Sequence, residues 1–207
     1  MSSLFIDTSN HLSIGLLGDD FRWEKYTSTH DVKSSGVIHH LINELLSDCG
    51  KRVQDIGMIF LVNGPGSYTG VRVGEGIAQV FEWQEIETIS FHHFQVPFFA
   101  GVSKGVFICS AFKGEFFIHS WNKSQTNQKL MTKSDLEENT EICAIDQLYS
   151  NQAENDLPIT NKIISTHDLI HDESQLVFSE LAKLKIRLDP FYFRKLSDEF
   201  KREKKDK

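Results

Sequence analysis

The chain has 207 residues, 40% of them hydrophobic and 25% charged, with 16 phenylalanines; this is apolar material for one large domain or two small lobes, and it excludes a multi-domain machine. Lysine and arginine number 22 against 29 aspartate and glutamate, a formal charge of −7, so no large positive field exists to hold a nucleic-acid backbone and any such surface must come from a partner. Cys49, Cys109 and Cys143 are widely spaced without a CxxC, which argues against a disulfide framework or zinc knuckle. With no basic leader and no 18-residue apolar run, a cytoplasmic protein without a membrane span is expected.

Leu4-Phe5-Ile6, the alternating Leu12, Ile14 and Leu16, and Phe21, Trp23 and Lys25 predict three antiparallel strands, separated by Asp7-Thr8-Ser9-Asn10 and Gly18-Asp19-Asp20. Ser34-Ser35 can cap a helix carrying Val37, Ile38, Leu41, Ile42, Leu45 and Leu46, with Gly50 as its stop. Met58 to Val62 reads as a buried strand, Gly70 to Phe81 as a second helix, Glu87 to Phe91 as a strand, and His92 to Gly101 as a short helix disturbed by Pro97. Val106-Phe107-Ile108 and Glu115 to Trp121 flank a Lys113-Gly114 hairpin turn, and a polar stretch follows from Asn122 to Asn127. Helical and strand-like segments then alternate at Asp135 to Glu138, Ile142 to Ile145 and Ile163-Ile164, ahead of a longer helix from Asp168 to Lys185. The order suggests two ribonuclease-H-like α/β lobes, residues 1–102 and a smaller 103–188, followed by a segment 189–207 whose basic, charged end from Lys195 reads as a solvated tail.

Asn63-Gly64-Pro65-Gly66-Ser67-Tyr68-Thr69-Gly70-Val71-Arg72 joins a buried strand to a helix, where backbone N–H groups and the helix dipole can hold an anion. It lacks the lysine of a phosphate-binding P-loop. The plainer reading is a tight turn with Ser67 or Thr69 as helix cap. Gly70, Gly74 and Ala78 then recur every fourth residue; glycine inside a helix costs about 0.5–1 kcal/mol relative to alanine, so the smooth stripe should permit a close approach, either within the core or across a subunit interface.

This run, continued by Val73-Gly74 and Gly76-Ile77-Ala78-Gln79, resembles the most characteristic segment of the TsaB (YeaZ) family. Ile6-Asp7-Thr8-Ser9, Asp55-Ile56 with the strand to Val62, Gly114-Glu115, and Pro190, Tyr192 and Arg194 in a Pro-x-Tyr-x-Arg pattern resemble further family positions. The likeness is strong over about 53–79 and thin over 122–189; Ser110 and Phe112 depart from the acidic residue and arginine common there, and His40 replaces a frequent proline. The resemblance implies a two-lobed fold of the actin, sugar-kinase and heat-shock-chaperone superfamily with a degenerate second lobe. It also implies a non-catalytic subunit that supports TsaD in forming threonylcarbamoyladenosine next to the tRNA anticodon, with TsaE joining the assembly and tRNA reached only through it. Val37, Leu41, Gly70, Val71, Gly74 and Ala78 are then the expected partner face, and Gly66, Ser67 and Thr69 the expected anion or nucleotide contact at the joint. A homodimer is the other use of the same face.

An independent enzyme is the competing reading, acting on nucleotides or as a glycopeptidase-like hydrolase. Against it, no glycine follows Gly114, so a second phosphate hairpin and an adenine turn cannot be built. Asp7 could in principle hold a metal with Asp19 or Asp20, but reads better as a capped strand end. His167 and His171 have zinc-clasp spacing without the usual glutamate or an evident third ligand, and His39-His40 and His92-His93 should each place one imidazole inward and one outward. Ser67 and Thr69 have no catalytic base in their own motif. No catalytic residue, cofactor or metal is therefore expected.

Overall fold

A computed structural model describes residues 1–29, 34–123 and 125–193. The first sheet is built by β1 (Ser2–Asp7), β2 (Leu12–Leu17), β3 (Trp23–Thr29), β4 (Ile56–Val62) and β5 (Glu87–Phe91), in the spatial order β3-β2-β1-β4-β5. The first three strands are antiparallel and β4 and β5 add in parallel, with Phe5 opposite Phe60 and Ile6 opposite Leu61. α1 (Ser34–Asp48) and α2 (Tyr68–Glu82) are the crossover helices. Gly50, at φ +63°, ends the first of them in the left-handed region that glycine tolerates.

Strand alternation sends Leu4, Ile6, Ile59 and Leu61 to the face covered by Ile38, Ile42, Leu45, Ile77 and Ala78 of α1 and α2. Phe5, Phe60 and Phe91 face the opposite way and meet α3 (Val96–Phe99), α6 (Thr166–Asp172) and α7 (Ser174–Leu184), chiefly through Phe178, Val177 and Leu181. The first sheet is thus the middle of three layers, which explains why β1 is buried along its whole length.

The second sheet repeats the plan. β6 (Lys104–Ser110), β7 (Glu115–Asn122) and β8 (Gln125–Thr132) are antiparallel, and β9 (Gln147–Ser150) and β10 (Lys162–Ser165) add in parallel, in the order β8-β7-β6-β9-β10. Its covering helices shrink to α4 (Lys133–Glu137) and α5 (Thr140–Cys143), which contribute Leu136 and Ile142 against Val106, Ile108 and Leu148. Its other face, with Phe107, Phe117 and Trp121, receives Phe94, Phe191 and Phe193.

Several expectations need correction. The polar stretch after Asn122 opens into strand β8, whose residues are almost all exposed and so carry no hydrophobic alternation. Ile142 lies in a short helix instead of a strand, and the long helix expected over 168–185 is two helices with Glu173 between them. Pro97 sits in the first turn of α3, where its missing N–H is harmless, and so helps start that helix. Residues 166–184, expected with the second lobe, pack on the first sheet. Arg194 and the tail from Lys195 lie outside the described residues.

Candidate functional site

The glycine loop is a seam between chain segments. Ser67 caps α2, its Oγ accepting from the Gly70 N–H at 3.4 Å, while its own N–H donates to Ser9 O at 2.6 Å. Asn151 Nδ2 donates to Pro65 O at 2.8 Å from the second lobe, and Asn63 Nδ2 donates to Glu75 and to Leu188 O, both at 3.0 Å. Phe191 N–H donates to Asn63 O at 2.9 Å, and the Tyr192 ring lies 5.1 Å from that of Tyr68. The C-terminal Pro190-x-Tyr192 motif and the glycine loop are therefore one structural unit, although 120 or so residues separate them in the chain.

The stripe on α2 faces inward. A Cβ at Gly74 would lie 2.7 Å from Thr8 Oγ1 and 3.0 Å from Leu61 Cδ1, and one at Gly70 would overlap the Thr8 carbonyl oxygen. Thr8 Oγ1 donates to Gly70 O at 2.7 Å. The glycines let α2 descend onto the β1–β2 turn; Val71 and Ala78 are buried with them, and Val37 and Leu41 are half-buried against the same core. The expected partner face of Gly70, Val71, Gly74 and Ala78 is corrected accordingly: these residues are core, because both glycines are needed for backbone approach. Of the expected anion contacts, Gly66 packs on the Ser9 backbone, Ser67 lines the cleft between the lobes, and Thr69 is exposed. The Ser67 N–H is already engaged by Ser9.

That cleft has a volume of about 650 Å³ and is lined by Asn10, His11, Tyr26, Ser67, Asn151 and His167 among others. Asn10 Nδ2 crosses it to donate to Asn151 O at 2.7 Å. At its base lies a cluster that no local motif announces. Asp7, fully buried at the end of β1, accepts through Oδ1 from the Ser9 N–H (2.8 Å) and Ser9 Oγ (2.7 Å). Its Oδ2 lies 3.1 Å from His93 Nε2 and 3.4 Å from His167 Nδ1, yet takes part in no hydrogen bond of acceptable geometry. Ser9 Oγ is 3.0 Å from His93 Nε2, and Thr166 Oγ1, which donates to Ser150 O, is 3.0 Å from His93 Nδ1. Burial opposes ionisation of Asp7, but the neighbouring His93 and His167 and the Ser9 N–H outweigh it and hold the carboxyl below the usual carboxylate range. Burial pushes His167 down to about 3, with His93 adding to the shift.

The histidine expectations change as well. His39 and His40 are both exposed, whereas His92 and His93 are both buried because they enter a tight 3-10 turn instead of a regular helix. His171 packs beside Trp23 and Tyr26 and is no partner of His167 in ligation, and Asp19, exposed, pairs with the N-terminus. Among the described residues, Asp7, His93 and His167 are the three groups whose ligand atoms converge, all within 4.8 Å of one another. Long-range folding creates this set; the only sequence signal was a charged residue ending a buried strand.

Two sheets of the same strand order with a cleft between them, reached by Ser67 of the glycine loop, define a two-lobed α/β protein of ribonuclease-H-like sheet order. Two structures from Pseudomonas aeruginosa, YeaZ and a protein with similarity to peptidase YeaZ, share this fold with TM-scores of 0.64 and 0.65 at 15% and 16% identity, covering 93% of this chain and 99% of each of those. The model of the family described as TsaD, tRNA N6-adenosine threonylcarbamoyltransferase, matches residues 32–173, and the chain belongs to that family. Its likeness to TsaB is borne out: the tRNA threonylcarbamoyladenosine biosynthesis protein TsaB of Bacillus subtilis (strain 168) is 40% identical over 88 residues, 40% of this chain. That match spans 37% of the relative's length.

Proposed function

We propose that this protein is a non-catalytic accessory subunit for threonylcarbamoyladenosine formation next to the tRNA anticodon, acting in the cytoplasm by docking on a TsaD-type transferase. TsaE and tRNA are engaged through the assembled complex. The observation that carries the reading is the outward face of α1 and α2: Val80 and Trp83 are 41% and 81% exposed, beside a shallow groove bounded by His39, Asn43 and Gln84. Two large apolar side chains three residues apart on one helix face, beside a groove lined by Ile42, Leu46, Ile77 and Phe81, suit a partner contact. Gly76 and Gly36 on the same helices have open space beyond them, so a partner helix can approach closely there. Ser67, at the cleft, and Thr69, exposed on the first turn of α2, are the groups placed to meet a nucleotide at the joint.

The hydrolase reading gains a Ser9–His93–Asp7 contact but loses on its geometry. Ser9 and Asp7 both address Nε2 of His93, whereas a nucleophile–base–orienter relay uses the two ring nitrogens separately. Ser9 is also fully buried. Of the described helices, none is long and apolar enough to cross a membrane.

The test is a Val80→Glu/Trp83→Ser double variant, compared with wild type for melting temperature and for affinity toward the TsaD of the same organism. Loss of the anchor contacts should cost ≥2 kcal/mol, on the order of thirtyfold in affinity, with folding retained. Normal TsaD binding would remove this face from the interface; self-association lost in the variant, with TsaD binding intact, would make it a homodimer surface instead.

A further inference from the structure

We propose that Asp7, His93 and His167 form a binding site for one divalent transition-metal ion of the zinc class. Two imidazole nitrogens and one carboxylate oxygen are a donor set that suits zinc, iron(II) or cobalt(II) and disfavours magnesium and calcium, which prefer oxygen alone. Asp7 Oδ2 is fully buried, without a hydrogen bond, and aimed between the two rings at 3.1 and 3.4 Å. Separations near 3 Å between donor atoms are those that ligands adopt around one ion with bonds of about 2 Å.

The surrounding hydrogen bonds supply the second argument. His167 Nε2 faces Asn151 O at 3.3 Å, and a carbonyl only accepts, so the ring's proton sits on Nε2 and the Nδ1 electron pair faces the Asp7 carboxylate. Thr166 gives its hydrogen to Ser150 O, so His93 Nδ1–H donates to Thr166 Oγ1, and Nε2 is the ring nitrogen turned toward Asp7 and Ser9. Each imidazole thus has its distal nitrogen fixed by a protein oxygen, the outer arrangement that orients metal-ligating histidines. Asp7 Oδ2, His167 Nδ1 and His93 Nε2 converge in one buried site, and each can offer an electron pair to a single cation. Ser9 Oγ, 3.0 Å from His93 Nε2, must give up that contact when the ion enters. Access is from the cleft: His167 lines it and is 12% exposed in its side chain. Positions not taken by protein ligands are reached from this cleft, so oxygen donors of a bound ligand could complete the coordination.

The proposal does not depend on the partner reading. The experiment uses the full, tag-free chain after chelator treatment, titrated with Zn²⁺ by calorimetry and with Co²⁺ by visible absorption. One equivalent should bind with a Kd at or below about 1 µM, raise the melting temperature and, for Co²⁺, give the ligand-field bands of a nitrogen- and oxygen-ligated ion. His167→Ala should weaken binding ~100-fold or more, and His171→Ala, in the same cleft, should leave it unchanged. Absence of stoichiometric binding by wild type overturns the proposal. Equal losses in the two histidine variants also overturn it, whichever of them remains folded.

Discussion

Alanine at Gly74 and at Gly76, two positions of one helix, should move stability in opposite directions. At Gly76 the new methyl meets nothing within 4 Å, so only the helix propensity gain acts, about 0.5–1 kcal/mol of stabilisation. At Gly74 it would stand 2.7 Å from Thr8 Oγ1 and 3.0 Å from Leu61 Cδ1. Thr8 cannot retreat without breaking its buried hydrogen bond to Gly70 O, a loss of ~1 kcal/mol or more, and forced repacking adds roughly 1–3 kcal/mol. Subtracting the propensity gain leaves Gly74→Ala destabilised by ~1–3 kcal/mol, and Gly74→Leu by more. For a chain of this length, about 2–4 °C per kcal/mol places the Ala variant ~2–12 °C below wild type and Gly76→Ala a few degrees above it. Thermal melts followed by circular dichroism read both. If Gly74→Leu melts with wild type yet no longer binds TsaD, the inward placement of the stripe is refuted and the helix faces its partner through the glycines.

Two further expectations follow from burial. Phe178 is fully buried against Phe5, Phe60 and Phe91, so Phe178→Ala should cost ~3–5 kcal/mol by denaturant titration; a loss below 1 kcal/mol would show that α7 does not belong to the first sheet. Burial depresses His92 and His119 from the ordinary 6.5 to about 4 each, so the unfolded chain takes up protons first as pH falls: this contribution is intact above pH 6.5 and is lost progressively down to pH 4. Melting temperatures should drop between pH 7 and 4.5, less steeply in His119→Gln, and a variant as steep as wild type would count against the assignment.

The first lobe was legible because its signals are local. Leu4-Phe5-Ile6 and Met58 to Val62 are apolar runs, and α1 shows a helical period ended by Gly50, so each element could be placed from its own residues. The second lobe hid β8 for a physical reason: an edge strand exposed along nearly its whole length, with only Met131 reaching the core, needs no apolar alternation, and Gln125 to Thr132 has little. The direction of the α2 stripe was undetermined because periodicity shows that a face is smooth without showing what lies against it. Asp7, His93 and His167 were invisible as a set, since each was judged against neighbours in sequence while their contacts come from β1, the turn after β5 and the start of α6.

The return of α7 to the first sheet has a consequence for synthesis. Phe5, Phe60 and Phe91 form an apolar face that Val96 and Phe99 cover in part and that Ile170, Val177, Phe178 and Leu181 complete. At roughly 5–20 residues per second the ribosome delivers Phe178 about 6–24 s after Phe60. For that interval the nascent first sheet can be covered on its α1–α2 side but only by α3 on the other, and an unfinished sheet with a partly bare aromatic face is a target for chaperones and for aggregation. Chains cut between Ser165 and Ile170 should therefore accumulate in the insoluble fraction, even though every strand of both sheets is present in them.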